Sequence, residues 1–335
     1  MAADAAGEPG GAAPVVSVRG LRVSFPAGGG TSAVVDGLGF DLFPGEALAL
    51  VGESGCGKTM TALAILGLVP PPGRVASGEI LFLGKSLLTL GEEELRRLRG
   101  SRIAMVFQDA ASALDPVVTV GAQIAETVRA HRSMARAEAE RRAVELLASC
   151  AVPSPELRAR AYPHELSTGL KQRAMVAMAL ACEPCVLIAD EPTTALDVTL
   201  QAQVLDLFRE IQTRRKLSML FITHDLGVVA EIADRVVVVC SGRAVEEGPV
   251  LDIFDRPAHP YTRMLFRARW GQVPPAGPDA PRGARASAPG EGAPPACPFA
   301  PRCPDRLEEC ARTAPSLVEV APGRRAACLR LPEGV

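Results

Sequence analysis

Short apolar runs alternate with stretches of helical spacing along most of the chain. Each run is bounded by polar or glycine-rich residues and is typical of a strand that is buried on both faces. The runs are Glu46–Val51, Arg102–Phe107, Val186–Ala189, Met219–Ile222 and Val236–Val239. Their alternation with helices predicts an α/β fold, in which a mainly parallel sheet carries helices on both sides.

Two regions depart from this alternation. Val15 to Asp41 contains two segments of alternating apolar and polar residues around the turn Gly28–Gly30, which predicts an antiparallel β subdomain. Residues 117–181 contain no comparable strand and include the Ala-, Glu- and Arg-rich run Met134–Ser149. We therefore expect a helical insertion over about 117–181, with this charged run as a solvated helix face.

The two ends of the chain differ from its centre. Residues 1–14 lack the basic start and apolar core of a signal peptide, and we interpret them as a disordered leader of a cytosolic protein. Residues 270–296 are rich in Pro, Gly and Ala, which predicts a flexible linker. We expect one folded domain at 15–269 and a small cysteine-containing extension at 297–335.

Composition narrows the classes of function. The 335 residues include 36 Lys and Arg against 38 Asp and Glu, a net charge of −2, and 48% are apolar. A chain without surplus positive charge offers little to a polyphosphate backbone, which argues against a nucleic-acid partner. The apolar stretches are well short of the ~20 residues that cross a bilayer, so the sequence predicts no membrane span.

The first chemical motif lies where the strand at 46–51 precedes a helix. The sequence GESGCGKT matches the phosphate-binding pattern G-x-x-x-x-G-K-[ST] in full and predicts a P-loop NTPase fold. Loop N–H groups and the helix N-terminus bind phosphate oxygens, while Lys58 reaches the β- and γ-phosphates and Thr59 holds Mg²⁺. Because Cys56 lies near a helix N-terminus, we expect a lowered thiol pKa. The predicted nucleotide contacts are Gly52, Glu53, Ser54, Gly55, Cys56, Gly57, Lys58 and Thr59.

A second motif follows the apolar run Val186–Ala189. Asp190 and Glu191 come directly after this run, so a buried strand delivers two carboxylates to the edge of the sheet where phosphates bind. Asp190 fits the Mg²⁺ shell, and Glu191 fits a base that polarises the attacking water.

Further motifs follow in a fixed order. They are Phe107-Gln108, then LSTGLKQR at 166–173, then Ala195-Leu196-Asp197 and Thr223-His224-Asp225. They resemble the Q-loop, signature, D-loop and switch histidine of ATP-binding cassette (ABC) ATPases. With YPHE at 162–165 and ADEPTTALDVTLQAQVL from residue 189, the chain is similar to ATP-binding subunits of bacterial oligopeptide, dipeptide and nickel importers. The resemblance covers about residues 15–269 and returns in the extension.

The resemblance implies a composite ATP site. Two cassettes of this family close head to tail around two ATP molecules, so each site combines the P-loop of one subunit with the signature of the other. Gln108 would sense the γ-phosphate and join Thr59 and Asp190 around Mg²⁺, and His224 would contact the same phosphate. The catalytic set implied in this way is Glu191, His224 and Gln108.

The resemblance also implies nucleotide contacts outside the P-loop. Ser167, Gly169 and Asp197 would meet ATP across the dimer. Phe25 is a candidate for stacking on adenine, and a plain core position in its strand is an equally good interpretation. The family usually has two glycines after the signature serine, and Thr168 replaces the first here. This threonine would either crowd the partner's ATP or be accommodated with helical torsions.

The implied partners are two membrane permease subunits, a second and related ATP-binding subunit, and indirectly an extracytoplasmic solute-binding protein. We expect a peripheral ATPase on the cytoplasmic face of the membrane that drives import of oligopeptides, dipeptides or nickel. Two alternatives stay open: a soluble ABC ATPase acting on nucleic acid or ribosomes, and a non-hydrolysing ATP-binding module. A single cassette argues against the first, and the presence of Lys58, Asp190 and Glu191 argues against the second.

Four of the nine cysteines lie in the extension, with five, six and seventeen residues between successive members. They are Cys297, Cys303, Cys310 and Cys328. So small a segment forms little core, and thiolates converging on a metal would explain how it folds. The spacing lacks close C-x₂₋₄-C pairs, which favours an iron–sulfur cluster over zinc. The resemblance likewise implies a [4Fe–4S] cluster; zinc is the second choice and free thiols the third.

Overall fold

The computed structural model describes residues 13–28, 30–194, 196–269 and 296–331. Most of the predicted leader at 1–14, nearly all of the predicted linker at 270–296, and Ala195 of the D-loop lie outside these ranges.

Strands and helices alternate as the apolar pattern predicts. The strands are β1 (Val16–Ala27), β2 (Gly30–Leu42), β3 (Ala47–Val51), β4 (Arg74–Phe82), β5 (Lys85–Ser86), β6 (Ile103–Val106), β7 (Val186–Asp190), β8 (Ser218–Thr223), β9 (Arg235–Cys240), β10 (Arg243–Pro249), β11 (Val318–Ala321) and β12 (Arg324–Ala326). The helices are α1 (Lys58–Ile65), α2 (Glu92–Leu98), α3 (Ala110–Ala113), α4 (Val120–His131), α5 (Arg136–Ser149), α6 (Pro155–Ala159), α7 (Thr168–Ala179), α8 (Val198–Arg215), α9 (Leu226–Ile232), α10 (Val250–Asp255) and α11 (Pro260–Arg269).

A large sheet with the strand order β11-β12-β10-β9-β3-β8-β7-β6 forms the centre of the cassette. The strands from β9 to β6 are parallel neighbours, and every residue of β3, β7 and β8 is buried. In β3, Ala47, Ala49 and Val51 join one hydrophobic core, while Leu48 and Leu50 join the core on the other face. Burial on both faces explains why these strands are continuous apolar runs, and the predicted α/β fold is confirmed.

A smaller antiparallel sheet and a group of helices complete the cassette. The order of the smaller sheet is β2-β1-β4-β5, and β1 and β2 pair around the predicted turn. The helices α3 to α7 all lie between β6 and β7 in the chain. In α5, Ala139, Ala143, Leu146 and Leu147 are buried, while Arg136 and Glu140 form an ion pair at 2.8 Å on the exposed face. The charged run is thus a solvated helix face, as expected.

The C-terminal extension continues the large sheet. β12 pairs antiparallel with β10, and Glu246 lies opposite Ala326. Glu246 is fully buried and lies 3.5 Å from Arg324 of β12, which is itself 8% exposed. The buried ring of Phe299 packs edge-on against Tyr261 of α11 at 5.4 Å between centroids. Packing on the cassette therefore helps to hold this segment, whereas the sequence analysis explained its folding by metal ligation.

Candidate nucleotide site

The P-loop joins β3 to α1, and two of its positions tolerate only glycine. A Cβ atom added at Gly52 would collide with the carbonyl oxygen of Val239. Gly57 has φ of 102°, and an added Cβ would lie 2.5 Å from the carbonyl oxygen of Val34. At these two glycines the loop backbone packs closely on neighbouring strands, and α1 begins directly after the loop at Lys58, so its N-terminal N–H groups lie beside the loop.

Lys58, the first residue of α1, is buried with its ammonium group across the loop. Its Nζ donates to the carbonyl oxygens of Gly52 at 2.7 Å and of Glu53 at 3.1 Å. The side chain is 4% exposed, so these carbonyls supply the polar partners that a buried cation requires.

Asp190 lies at the end of β7 and meets the residue after Lys58. Thr59 Oγ1 donates to Asp190 Oδ1 at 3.2 Å, and Asp190 is 2% exposed. Burial raises the pKa of this carboxyl; the Thr59 hydrogen bond lowers it and the nearby Glu191 charge raises it again. A hydroxyl and a carboxylate side by side are oxygen ligands of the kind that Mg²⁺ prefers, so the predicted metal residues Thr59 and Asp190 fit that ion.

The carboxylate of Glu191, the predicted general base, is surrounded by three polar side chains. His224 Nδ1 lies 3.0 Å from Oε1, Thr194 Oγ1 donates to Oε2 at 2.9 Å, and Gln108 Nε2 approaches Oε2 at 3.4 Å. Burial raises the pKa of Glu191, but the hydrogen bonds from His224 and Thr194 outweigh it, so the pKa lies below its ordinary value. The structure thus brings together the three predicted catalytic side chains around an ionised carboxylate.

Thr194 is a site residue that the sequence did not predict. Its only signal is a hydroxyl three residues after the base, in a backbone turn where Thr194 N–H donates to the carbonyl oxygen of Glu191 at 3.1 Å. Glu191 itself has a left-handed φ of 46°, and its N–H donates to Ile222 O of the neighbouring strand at 2.7 Å. This turn aims the carboxylate at the edge of the sheet.

The signature and D-loop residues begin two helices. Ser167 caps α7 and accepts from Leu170 N–H at 3.4 Å, and Asp197 caps α8 and accepts from Leu200 N–H at 3.0 Å. Thr168 is exposed and is the first residue of α7. It therefore has the helical torsions with which the threonine could be accommodated beside the partner's ATP. No hydrogen bond found in the described part of the chain joins Ser167, Asp197 or buried Gly169 to the P-loop. Their contacts with ATP stay a prediction that requires a partner subunit.

Two predictions near the loop have different outcomes. Phe25 is half-buried and its ring packs against Gly73, where an added Cβ would collide with it. Its role in stacking on adenine stays a prediction. The expected low pKa of Cys56 is wrong, because the thiol is only 6% exposed and burial raises its pKa despite the Lys58 ammonium nearby.

The four cysteines of the extension are near neighbours without forming a coordination sphere. Cys297 N–H donates to Cys310 O at 2.9 Å. Burial raises the pKa of Cys297, and the charges of Cys310 and Cys328 raise it further; burial and the charges of Cys297 and Cys328 also raise that of Cys303. Among the residues that the structure describes, no three Cys, His, Asp or Glu side chains are placed to hold a metal ion. The predicted cluster and zinc therefore have no support from this geometry.

Comparisons with known proteins agree with the geometry of the site. The chain matches the family model "ABC transporter" over residues 35–194 and the model "Oligopeptide/dipeptide transporter, C-terminal region" over 245–310. It is 48% identical over 309 residues to the dipeptide transport ATP-binding protein DppD of Bacillus subtilis, with 90% of each chain covered. It is 47% identical over 330 residues to the probable peptide ABC transporter ATP-binding protein y4tR of Sinorhizobium fredii, with 96% of each covered.

Solved structures show the same architecture. The dimeric ATP-binding cassette MJ0796, in a post-hydrolysis state bound to ADP and Pi, matches with a TM-score of 0.63 and 25% identity over 70% of this chain and 98% of that one. Across the described ranges, no helix combines the length and apolarity needed to span a bilayer.

Proposed function

The chain belongs to the ABC transporter family of ATP-binding proteins, and from this premise we propose that it hydrolyses ATP to drive import of dipeptides or oligopeptides. One observation carries the hydrolytic part of this proposal. Glu191, the predicted base, is held by Thr194 at 2.9 Å and faces His224 at 3.0 Å, directly after the Asp190 that accepts from Thr59. The similarity to peptide-transport subunits over nine-tenths of the chain supports the choice of cargo.

The roles of the side chains follow from their positions. Lys58 leaves the loop carbonyls to bind the β- and γ-phosphates, and the loop N–H groups orient them. Thr59 and Asp190 would hold Mg²⁺, with Gln108 as a further ligand, and a bound ion would supply positive charge next to the phosphates. Glu191 orients the attacking water and accepts its proton, and His224 fixes this carboxylate and contacts the γ-phosphate. Such charge placement, with little covalent chemistry, is how phosphoryl transfer is catalysed.

The site needs a second cassette. Ser167 and Asp197 are exposed caps at the starts of two helices, and buried Gly169 lies in the first turn of one of them; there all three would meet ATP bound to a partner's P-loop. We propose that the partner is a related ATP-binding chain, and that the pair sits on two permease subunits at the cytoplasmic face of the membrane. An extracytoplasmic binding protein would deliver the peptide to those permeases.

We test the function with reconstituted vesicles that contain the permeases and both cassettes. ATP-dependent uptake of a radiolabelled dipeptide is expected to be lost in Lys58→Ala, because the phosphates lose their buried cation. Lys85→Ala is the matched control, since this lysine is exposed in β5. Uptake that survives Lys58→Ala, or co-purification of the chain with ribosomes in place of the permeases, would contradict the proposal.

We also propose that Cys297, Cys303, Cys310 and Cys328 hold a [4Fe–4S] cluster. The support is the donor set, since four thiolates are the usual ligands of such a cluster, together with the hydrogen bond from Cys297 N–H to the carbonyl oxygen of Cys310 at 2.9 Å, which places two of the four residues side by side. A cluster would neutralise the charge of the four thiolates. We assign it a structural role within the extension.

Anaerobic purification tests the cluster. We expect a brown protein whose broad absorbance falls when any of the four is changed to Ser, and stays when half-exposed Cys185 is changed to Ser. Stoichiometric zinc without iron would favour zinc. A metal-free protein would contradict both assignments.

A further inference from the structure

The C-terminal extension contacts the P-loop directly. Arg302 Nη1 and Nη2 donate to Glu53 Oε1 and Oε2 at 2.8 and 2.7 Å, although the two residues are 249 positions apart in the chain. Two parallel charge-assisted hydrogen bonds fix both the distance and the orientation of a guanidinium and a carboxylate. Glu53, the second residue of the P-loop, is therefore hydrogen-bonded to the C-terminal extension.

Glu53 is held at its other polar groups as well. Its N–H donates to the hydroxyl of Tyr261 at 3.0 Å, and its carbonyl oxygen accepts from Lys58 Nζ at 3.1 Å. Tyr261 is fully buried, so its hydroxyl is a fixed anchor. The conformation of Glu53 thus depends on α11, on the first residue of α1 and on Arg302 of the extension.

Arg302 is itself well placed before any nucleotide binds. Its guanidinium carbon lies 5.5 Å from the centre of the Phe299 ring and 6.0 Å from that of Tyr261. Phe299 is fully buried, and Arg302 ends the 3₁₀ turn Ala300–Arg302. Stacking on two fixed rings restricts the side chain, so little rotamer entropy remains to be lost when it holds Glu53.

The charge of Glu53 makes this contact relevant to ATP. An unpaired carboxylate in a loop that binds a triphosphate would repel the ligand, and a loosened loop would misalign its N–H donors. We propose that Arg302 is a positioning residue of the ATP site: it neutralises Glu53 and fixes the start of the P-loop, so that ATP affinity depends on the C-terminal extension. The inference rests on the proposed ATP site and extends it to a residue outside the cassette motifs.

Binding of a fluorescent N-methylanthraniloyl-ATP with Mg²⁺ to the full chain tests this role. Because the pair is bidentate but partly exposed, we expect Arg302→Ala to raise the dissociation constant about three- to tenfold. In the assembled transporter, KM for ATP is expected to rise by a similar factor with kcat nearly unchanged. Arg302→Lys keeps the charge and loses the fork, so it should restore part of the affinity.

The matched control is Arg325→Ala. Arg325 also binds the extension to the cassette, through Glu247 of β10, but among the described residues no hydrogen bond or ion pair joins Arg325 to the P-loop. We expect the dissociation constant of the Arg325→Ala variant for the ATP analogue to stay within about 1.5-fold of the wild type, since only the contact between Arg302 and Glu53 should affect ATP binding. An equal effect of Arg302→Ala and Arg325→Ala would overturn the proposal, because the extension would then act through general stability.

A double variant separates positioning from direct contact. In a Glu53→Gln background there is no carboxylate to neutralise, so Arg302→Ala should have little further effect. If Arg302→Ala raises the dissociation constant equally in the Glu53→Gln background, Arg302 contacts the nucleotide itself. That result would overturn the proposal that it acts by positioning Glu53. An unchanged dissociation constant in Arg302→Ala also overturns it. Wild-type binding that does not depend on Lys58 would instead contradict the proposed ATP site.

Discussion

Glu191→Gln removes the charge of the predicted base without changing its size. The amide oxygen can replace Oε2, which accepts from the Thr194 hydroxyl at 2.9 Å and from Gln108 at 3.4 Å, whereas His224, 3.0 Å from Oε1, would face the new NH₂ group. General-base assistance contributes on the order of 10²–10⁴-fold, so we expect hydrolysis to fall by that factor. ATP binding should persist, because Lys58 and the loop donors are untouched, and the closed cassette dimer should accumulate.

Single-turnover phosphate release from the assembled transporter measures the rate, and the fluorescent ATP analogue measures binding. Glu183→Gln is a matched control at the other end of β7. Glu183 also has a left-handed φ, 56° against 46° for Glu191, but it pairs with Arg132 and Arg142 and not with the phosphate edge. A Glu191→Gln rate within about fivefold of the wild type, or an equal loss in Glu183→Gln, would refute the assigned role.

Three further predictions concern pH and the signature. Thr194→Val removes a donor that stabilises charged Glu191, so the pKa of Glu191 should rise and the acid limb of the kcat–pH profile should move to higher pH; an unmoved limb contradicts this. Burial, helped by the charge of Arg263, lowers the pKa of His259 to about 4, so only the unfolded chain gains this proton as pH falls from about 6.5 to 4. The free energy of unfolding should therefore decrease by at most about 3 kcal/mol over that window, which urea midpoints measured at each pH would show. His259→Asn should make this dependence on pH weaker. Thr168→Gly should raise ATP turnover of the assembled complex if the threonine crowds the partner's ATP, and an unchanged or lower rate would show that it is tolerated.

The sequence predicts those elements whose pattern reflects local burial. β3, β7 and β8 were found because both faces are buried and their residues are uniformly apolar. β10 was missed because Glu246 and Glu247 make it resemble a polar loop, although both are buried in the sheet. The cations that make this burial possible lie in β12, 78 residues further along in the case of Glu247 and Arg325. Pairing over such a distance leaves no periodic signal, and the same holds for Arg302 and Glu53.

The buried pair in β10 also determines how the extension can be studied. Glu246 is fully buried, accepts N–H bonds from Ala258 at 2.7 Å and His259 at 2.9 Å, and has Arg324 as its cationic neighbour. Removal of one partner of a buried ion pair costs about 3–5 kcal/mol, and loss of β12 would also expose the edge of β10. A chain truncated before residue 296 would therefore lose ATP binding through unfolding, whatever Arg302 does. Arg302→Ala leaves the pairs between β10 and β12 in place, whereas Arg325→Ala breaks one of them without removing the contact between Arg302 and Glu53, so comparison of the two variants separates control of the P-loop from stability of the cassette.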